Sequence, residues 1–279
     1  MRDTQLNDAW FDKQIFSGPD VADGCHPDEA KALKDYYHKK MTAKEAAHAI
    51  IQPVKNSENI LHRLEGLWGL FIDALLEMPS EQLPALLELL AAIQQCPEPD
   101  RPGWSDISSN DGLVWRHLYH FHFDWGDHAR NDEYLENLAD CDPADRAQKR
   151  AWHIRKAEVE ARLAAADIGH ITWLGGFICV SDTLESSEAV LDFEVPAAAK
   201  WILFVGERLF KAAVDGEESV LRPRRHDLGW ESKVIDLERW SFWENRMKEM
   251  TTHDSPIVRD AAKAAVERMK ALRSSYSST

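Results

Sequence analysis

Residues 58–78 read ENILHRLEGLWGLFIDALLEM. Ile60, Leu64, Leu67, Phe71 and Leu75 recur at steps of four and three, which places them along one side of an α-helix, and Leu61, Trp68, Ile72 and Leu76 form a second line beside them. Extended chain would send alternate residues to opposite faces, and the segment has no such alternation. A helix apolar around this much of its circumference belongs inside a fold, with Trp68 as its largest side chain. Gly66 and Gly69 are expected to admit a neighbouring backbone.

The same period extends in both directions. Upstream, Thr42 and Glu45 have the spacing of a capping box, opening a helix through Ile51 that Pro53 is expected to end. Downstream, Pro79 closes the first helix and Ser80 can cap a second, reaching about Gln95. Residues 96–110 carry three prolines and few large aliphatics, and read as a loop. A short helix is expected over 113–123. Asp142 and Pro143 start a long helix to about Ala166, followed by a buried helix over 168–185. Pro196 opens a segment ending at Val214, with Gly216 just past it. Leu237, Trp240, Trp243, Met247 and Met250 mark another helix, and Ser255 and Pro256 begin the last. Residues 190–195 are the one weak candidate for a strand. The architecture predicted is all-α, a single-domain irregular array of about ten helices over 1–279. Residues 1–40 form an extension partly outside the core, and 274–279 a frayed tail.

Composition narrows the partners. With 48 acidic against 33 basic side chains, the net charge of −15 repels a phosphate backbone, so nucleic acid is not expected as a partner. The one basic cluster, Arg222, Arg224 and Arg225 beside His226, reads as a solvated loop with a phosphate-bearing ligand as the alternative. The longest apolar run, 171–180, is about half a bilayer span, so no membrane association is expected and a cytoplasmic location is. Cys25, Cys96, Cys141 and Cys179 have no close pairing and read as reduced thiols.

Motifs that would name a reaction are missing. His117, His120, His122, Asp124 and His128 lie in HLYHFHFDWGDH, and on a helix His117, His120 and Asp124 would share a face. That leaves a metal-dependent enzyme using the His117 to His128 cluster as one alternative, although Trp125 stands where a metallo-β-lactamase pattern needs a further histidine. No metal or cofactor is assigned. The chain has no Asp-Asp pair of the kind terpene cyclases use to hold magnesium, no Gly-x-Ser-x-Gly elbow, and no phosphate loop at Gly175 and Gly176. Eleven tryptophans point instead to core packing or to an aromatic-walled pocket. The candidates for such a pocket are Trp68, Asp73, His120, Asp124, Trp125, Trp173, Asp182 and Trp201. Asp73 and Asp182 are chosen because an acid inside an apolar helix is costly unless it serves something.

The stretches MTAKEAAHAIIQPV (41–54), LEGLWGLFIDALLEMPSEQLPALLELLAAI (64–93), ARLAAADIGHITWLGGFICVSDTLE (161–185), DFEVPAAAKWILFVGERLF (192–210), RWSFWENRMKEM (239–250) and DAAKAAVERM (260–269) resemble a fungal helical family catalogued as domain of unknown function 3632. The resemblance spans about 41–269 and rests on core positions. It implies a fungal, intracellular, all-helical protein without an established family activity, with members that can lie near secondary-metabolite genes. Two classes of function follow. One is a cofactor-independent protein that binds or tailors a small molecule of secondary metabolism. The other is a non-catalytic interaction module whose acidic surface recognises a protein partner.

Overall fold

The computed structural model describes residues 2–15, 25–99, 113–129, 141–228, 230 and 232–276. The fold is all-α: among the described residues there is no strand, only an isolated bridge between Glu218 and Val234. Contacts divide the chain into two compact units. One comprises residues 1–130 with 168–170, the other 131–167 with 171–279.

The first unit contains α1 (Arg2–Ile15), α2 (Pro27–Tyr37), α3 (Ala43–Ile50), α4 (Gln52–Asn56), α5 (Ile60–Glu77), a 3-10 turn (Ser80–Gln82), α6 (Leu83–Gln94) and α7 (Phe121–Ala129). The expected capping box is present at α3: the Glu45 amide donates to Thr42 Oγ1 at 3.3 Å, and the Thr42 amide donates to Glu45 Oε2 at 2.8 Å. Pro53 does not simply stop the chain. It occupies the first turn of α4, where a missing N–H is harmless. α5 takes the span its periodicity predicts, and Leu64, Leu67, Trp68, Phe71, Ile72 and Leu75 are all fully buried. Leu61, on the second line, is exposed, and a Cβ at Gly69 would meet only open space, so close approach is not what that glycine provides. Phe11, Ala30 and Leu33 of α1 and α2 are buried.

The helix expected over 113–123 begins only at Phe121. Before it lies a turn segment in which Leu118 (φ 44°) and His120 (φ 73°) adopt left-handed backbone. The cause is a side chain distant in sequence. Both carboxylate oxygens of Glu98 accept backbone N–H groups, from Val114 and Arg116 at 2.8 Å each and Trp115 at 3.1 Å, which serves these amides without a preceding helical turn. Of the loop expected at 96–110, residues 100–110 lie outside the described residues.

The second unit contains α8 (Pro143–Ala165), α9 (Trp173–Leu184), α10 (Leu191–Asp215), α11 (Leu237–Met250) and α12 (Pro256–Tyr276). α10 is its centre and packs against each of the other four. The helix expected from 168 starts at Trp173 instead, after a turn in which Asp167 and His170 have positive φ. The weak strand candidate at 190–195 is helical, being the first turns of α10, and Pro196 lies inside that helix rather than opening it. The apolar face of α10 through Val195, Ile202, Leu209 and Phe210 overrides the β-branched character of that short stretch. Gly216, at φ 65°, ends α10 in the left-handed conformation that glycine tolerates best. Gly176 is where close approach is needed: a Cβ there would fall 2.6 Å from the Trp201 ring.

One buried ion pair ties α9 to α11. Glu185 and Arg239 are both fully buried; Arg239 Nε and Nη2 donate to the two Glu185 oxygens at 2.6 and 2.7 Å, and Trp243 Nε1 donates to Oε1 at 2.6 Å. Arg239 Nη1 donates to the carbonyls of Ser232 and Val234 at 2.7 and 3.0 Å, so this pair also anchors the chain before α11.

Candidate functional site

The second unit holds a cleft of about 640 Å³, within the size range of small-molecule sites. Its walls follow from helical period. α8 presents His153, Lys156, Ala157 and Glu160; α9 presents Gly175, Ile178, Cys179, Asp182 and Thr183; α10 presents Glu194, Ala197 and Trp201. Leu221, Arg222, Arg224 and Arg225, from the connection after α10, form the remaining side.

The arginine-bearing connection is fixed from α9. Asp182 Oδ1 accepts the backbone N–H groups of Arg224 and Arg225 at 2.6 and 3.1 Å. Asp227 adds a second tie, accepting the hydroxyl of Ser187 at 2.6 Å. The Arg225 guanidinium then donates to Glu194 Oε1 at 2.7 Å. The other oxygen of Glu194, Oε2, is buried and has no hydrogen-bond partner among the described residues, although the side chain is only 4% exposed. Burial raises this carboxyl above its ordinary range against the pull of Arg225 and of the Val190 backbone amide, while Asp182 pushes in the same direction as burial. Cys179 is held as a thiol: burial raises its pKa, and the carboxylates of Glu194, Glu160 and Asp182 add to that effect. A nucleophilic role for this cysteine is therefore unfavourable.

The pocket candidates fall into two groups. Asp182 and Trp201 line the cleft together, whereas Trp173 does not: its ring carries the Arg208 guanidinium 4.0 Å above it, and Arg208 pairs with Glu217. Trp68, Asp73, His120, Asp124 and Trp125 belong to the first unit. There Trp68 is core; its Nε1 donates to the Tyr119 carbonyl at 2.7 Å and its ring meets Phe121 edge-on. Trp125 is buried and stacks on Phe121. Asp73 is half-buried, and its charge helps to raise the Cys25 thiol. His120 Nδ1 lies 3.4 Å from Asp124 Oδ1. His117 packs its ring against His170 at 4.8 Å, and the His122 ring is 6.2 Å from the same residue. Burial lowers the pKa of His122, with His170 and His120 adding repulsion. The side chain of His128 lies outside the described residues. Among those described, no group of three or more His, Cys, Asp or Glu side chains is arranged to hold a metal ion.

Glu194 and Glu160 were not candidates on sequence grounds. Glu194 sits in the stretch that resembles a strand; read at helical spacing, Glu194, Ala197 and Trp201 share a face, and that was the available signal. Arg225 belongs to a cluster that sequence alone assigns to solvent, because its partner is 31 positions away.

No helix among the described residues is long and apolar enough to cross a membrane. No curated protein and no solved structure matches the chain. Residues 68–247, which include α8, α9, α10 and the whole arginine-bearing connection, match the family described as protein of unknown function, DUF3632, and the chain belongs to that family.

Proposed function

We propose that this chain binds a small organic molecule in the cleft of the second unit. The observation that carries the reading is the cleft of about 640 Å³, with the buried carboxyl of Glu194 in its wall. Ile178, Ala197 and Trp201 offer apolar area beside it. Conversion of the ligand, as in a tailoring step needing no cofactor, would fall to the carboxyl groups of Glu194 and Asp182 as proton donor or acceptor.

The test is native mass spectrometry of the full chain purified from several expression hosts, paired with a small-molecule thermal-shift screen. Ligands are expected to raise the melting temperature, and Ile178→Trp, which fills the cleft, should abolish that rise. Co-purifying or screened ligands that bind the Ile178→Trp variant equally well would overturn the assignment to this cleft. A protein partner is the second reading, favoured by Val220 and Leu221, which are 75% and 44% exposed next to the arginines. A Val220→Asp variant that loses an identified partner while keeping ligand shifts would separate the two.

A further inference from the structure

We infer that the first unit carries a small-molecule site of its own, in which the Arg63 guanidinium receives the oxyanion of a small carboxylate or phosphate compound. This site is separate from the cleft of the second unit, and either can stand without the other.

The place is a pocket of about 380 Å³. His26 and Asp28 reach it from the start of α2, Gln52 and Asn56 from α4, and Ser57 and Arg63 from the entry into α5. Arg63 stands in the first turn of α5, which holds no acidic side chain. It is half-buried, yet among the described residues its side chain has no hydrogen bond and no ion pair. A guanidinium carries five N–H donors, and drawing it away from water without an acceptor is costly.

The acids around Arg63 do not answer it. Glu29 is fully buried and turns Oε2 to the His26 amide at 2.8 Å, capping α2 instead of pairing with the arginine. Burial pushes that carboxyl up to about 7 against the attraction of Arg63, so below neutrality Glu29 is mostly uncharged. Asp28 is 73% exposed, and water and salt screen its charge.

The pocket is also rich in donors. His26 Nδ1 accepts the Asp28 amide at 3.2 Å, which leaves the proton of the neutral ring on Nε2. Gln52 donates one N–H to the His48 carbonyl at 3.2 Å, and the Ser57 hydroxyl donates to the Asn59 carbonyl at 3.1 Å. The Asn56 amide has no partner among the described residues. An oxyanion takes two parallel N–H bonds from a guanidinium, strengthened by charge, whereas a cation here meets an unscreened positive group. In a chain of net charge −15 the long-range field repels anions, so an anion bound at this point is held by these local donors.

The full chain is titrated with sulfate, succinate and neutral glycerol at an ionic strength held constant with sodium chloride. NMR follows the Nε–H signal of Arg63, assigned by its loss in Arg63→Gln, and melting temperatures are recorded in parallel. Sulfate represents a phosphate-like tetrahedral oxyanion and succinate a carboxylate, so the tighter binder names the source. One of the two anions is expected to shift the Arg63 signal saturably, with no response to glycerol. The gain in melting temperature should require about tenfold more of that anion in Arg63→Gln. Asn56→Leu, at an exposed position that leaves the arginine in place, should weaken binding as well. Anions that act no more strongly than chloride, a glycerol response of equal size, or undiminished affinity in Arg63→Gln would each overturn the inference. Where Arg63→Gln folds poorly, the signal of the unmodified chain decides, because an anion settling elsewhere, as at Arg222, leaves the Arg63 signal unmoved and refutes the site.

Discussion

Single residues decide much of the stability of this protein, and buried charge is where the effects are largest. Arg239→Met would leave the Glu185 carboxylate uncompensated at a site with no exposure, and a loss of about 3–5 kcal/mol is expected in chemical denaturation. Replacing both partners by apolar residues of similar volume should cost less than the single change, because the stranded charge is gone; a double variant less stable than the single would contradict this account. Glu29 is a different case. It is fully buried, burial pushes its carboxyl up to about 7, and the His26 amide and Arg63 only partly oppose this. The folded state therefore keeps the Glu29 proton to higher pH than the unfolded chain does. The resulting stabilisation is complete below the ordinary carboxyl range and is lost as pH rises toward about 7. Comparing denaturation midpoints of the wild type and Glu29→Gln across this window should show the wild type losing about 3 kcal/mol relative to the variant; parallel pH profiles would exclude it. Trp68→Ala, which empties a core position and frees the Tyr119 carbonyl, should cost about 3–5 kcal/mol, and a change within error of zero would mean that its burial is misassigned.

At the level of elements, the legible parts of the fold were those where cap and period coincide. α3, with Thr42 and Glu45, and α5, with its two apolar lines, follow from neighbours within one or two turns. The boundary before α7 was misplaced because its partner lies far away in sequence, whereas 190–196 was misread because the apolar face of α10 outweighs local β character. The turn before α7 is held by Glu98, about sixteen positions upstream of Val114, and no local rule connects the two. Glu98→Ala should release the amides of Val114, Trp115 and Arg116, giving faster hydrogen exchange there and a loss of about 1–3 kcal/mol; unchanged protection would show that the segment holds its shape without the carboxylate. The site was less legible than the fold for the same reason. Asp182 and Trp201 stood out as an acid and a ring on apolar helices, but Glu194 gains its meaning only when Arg225 is brought to it. Trp68, Trp125 and Trp173 looked equally suitable for a pocket, and packing assigns the first two to the core and the third to Arg208.

For the molecule as a whole, a net charge of −15 sets the long-range behaviour. The chain should be retained by an anion exchanger at neutral pH and should not shift duplex DNA even at low ionic strength; a salt-sensitive shift would reveal a basic surface strong enough to overcome the overall charge. In the second unit, α10 has two duties: Glu194, Ala197 and Trp201 line the cleft, while Val195, Ile202, Leu209 and Phe210 fill the core against α8, α9, α11 and α12. Under the proposed reading, holding a guest and holding the fold are tasks of one rod. A guest clasped at its first turns would brace the whole unit, so a folding lesion as far off as Leu272, where α12 meets Gly206, should be curable by feeding cells the right compound.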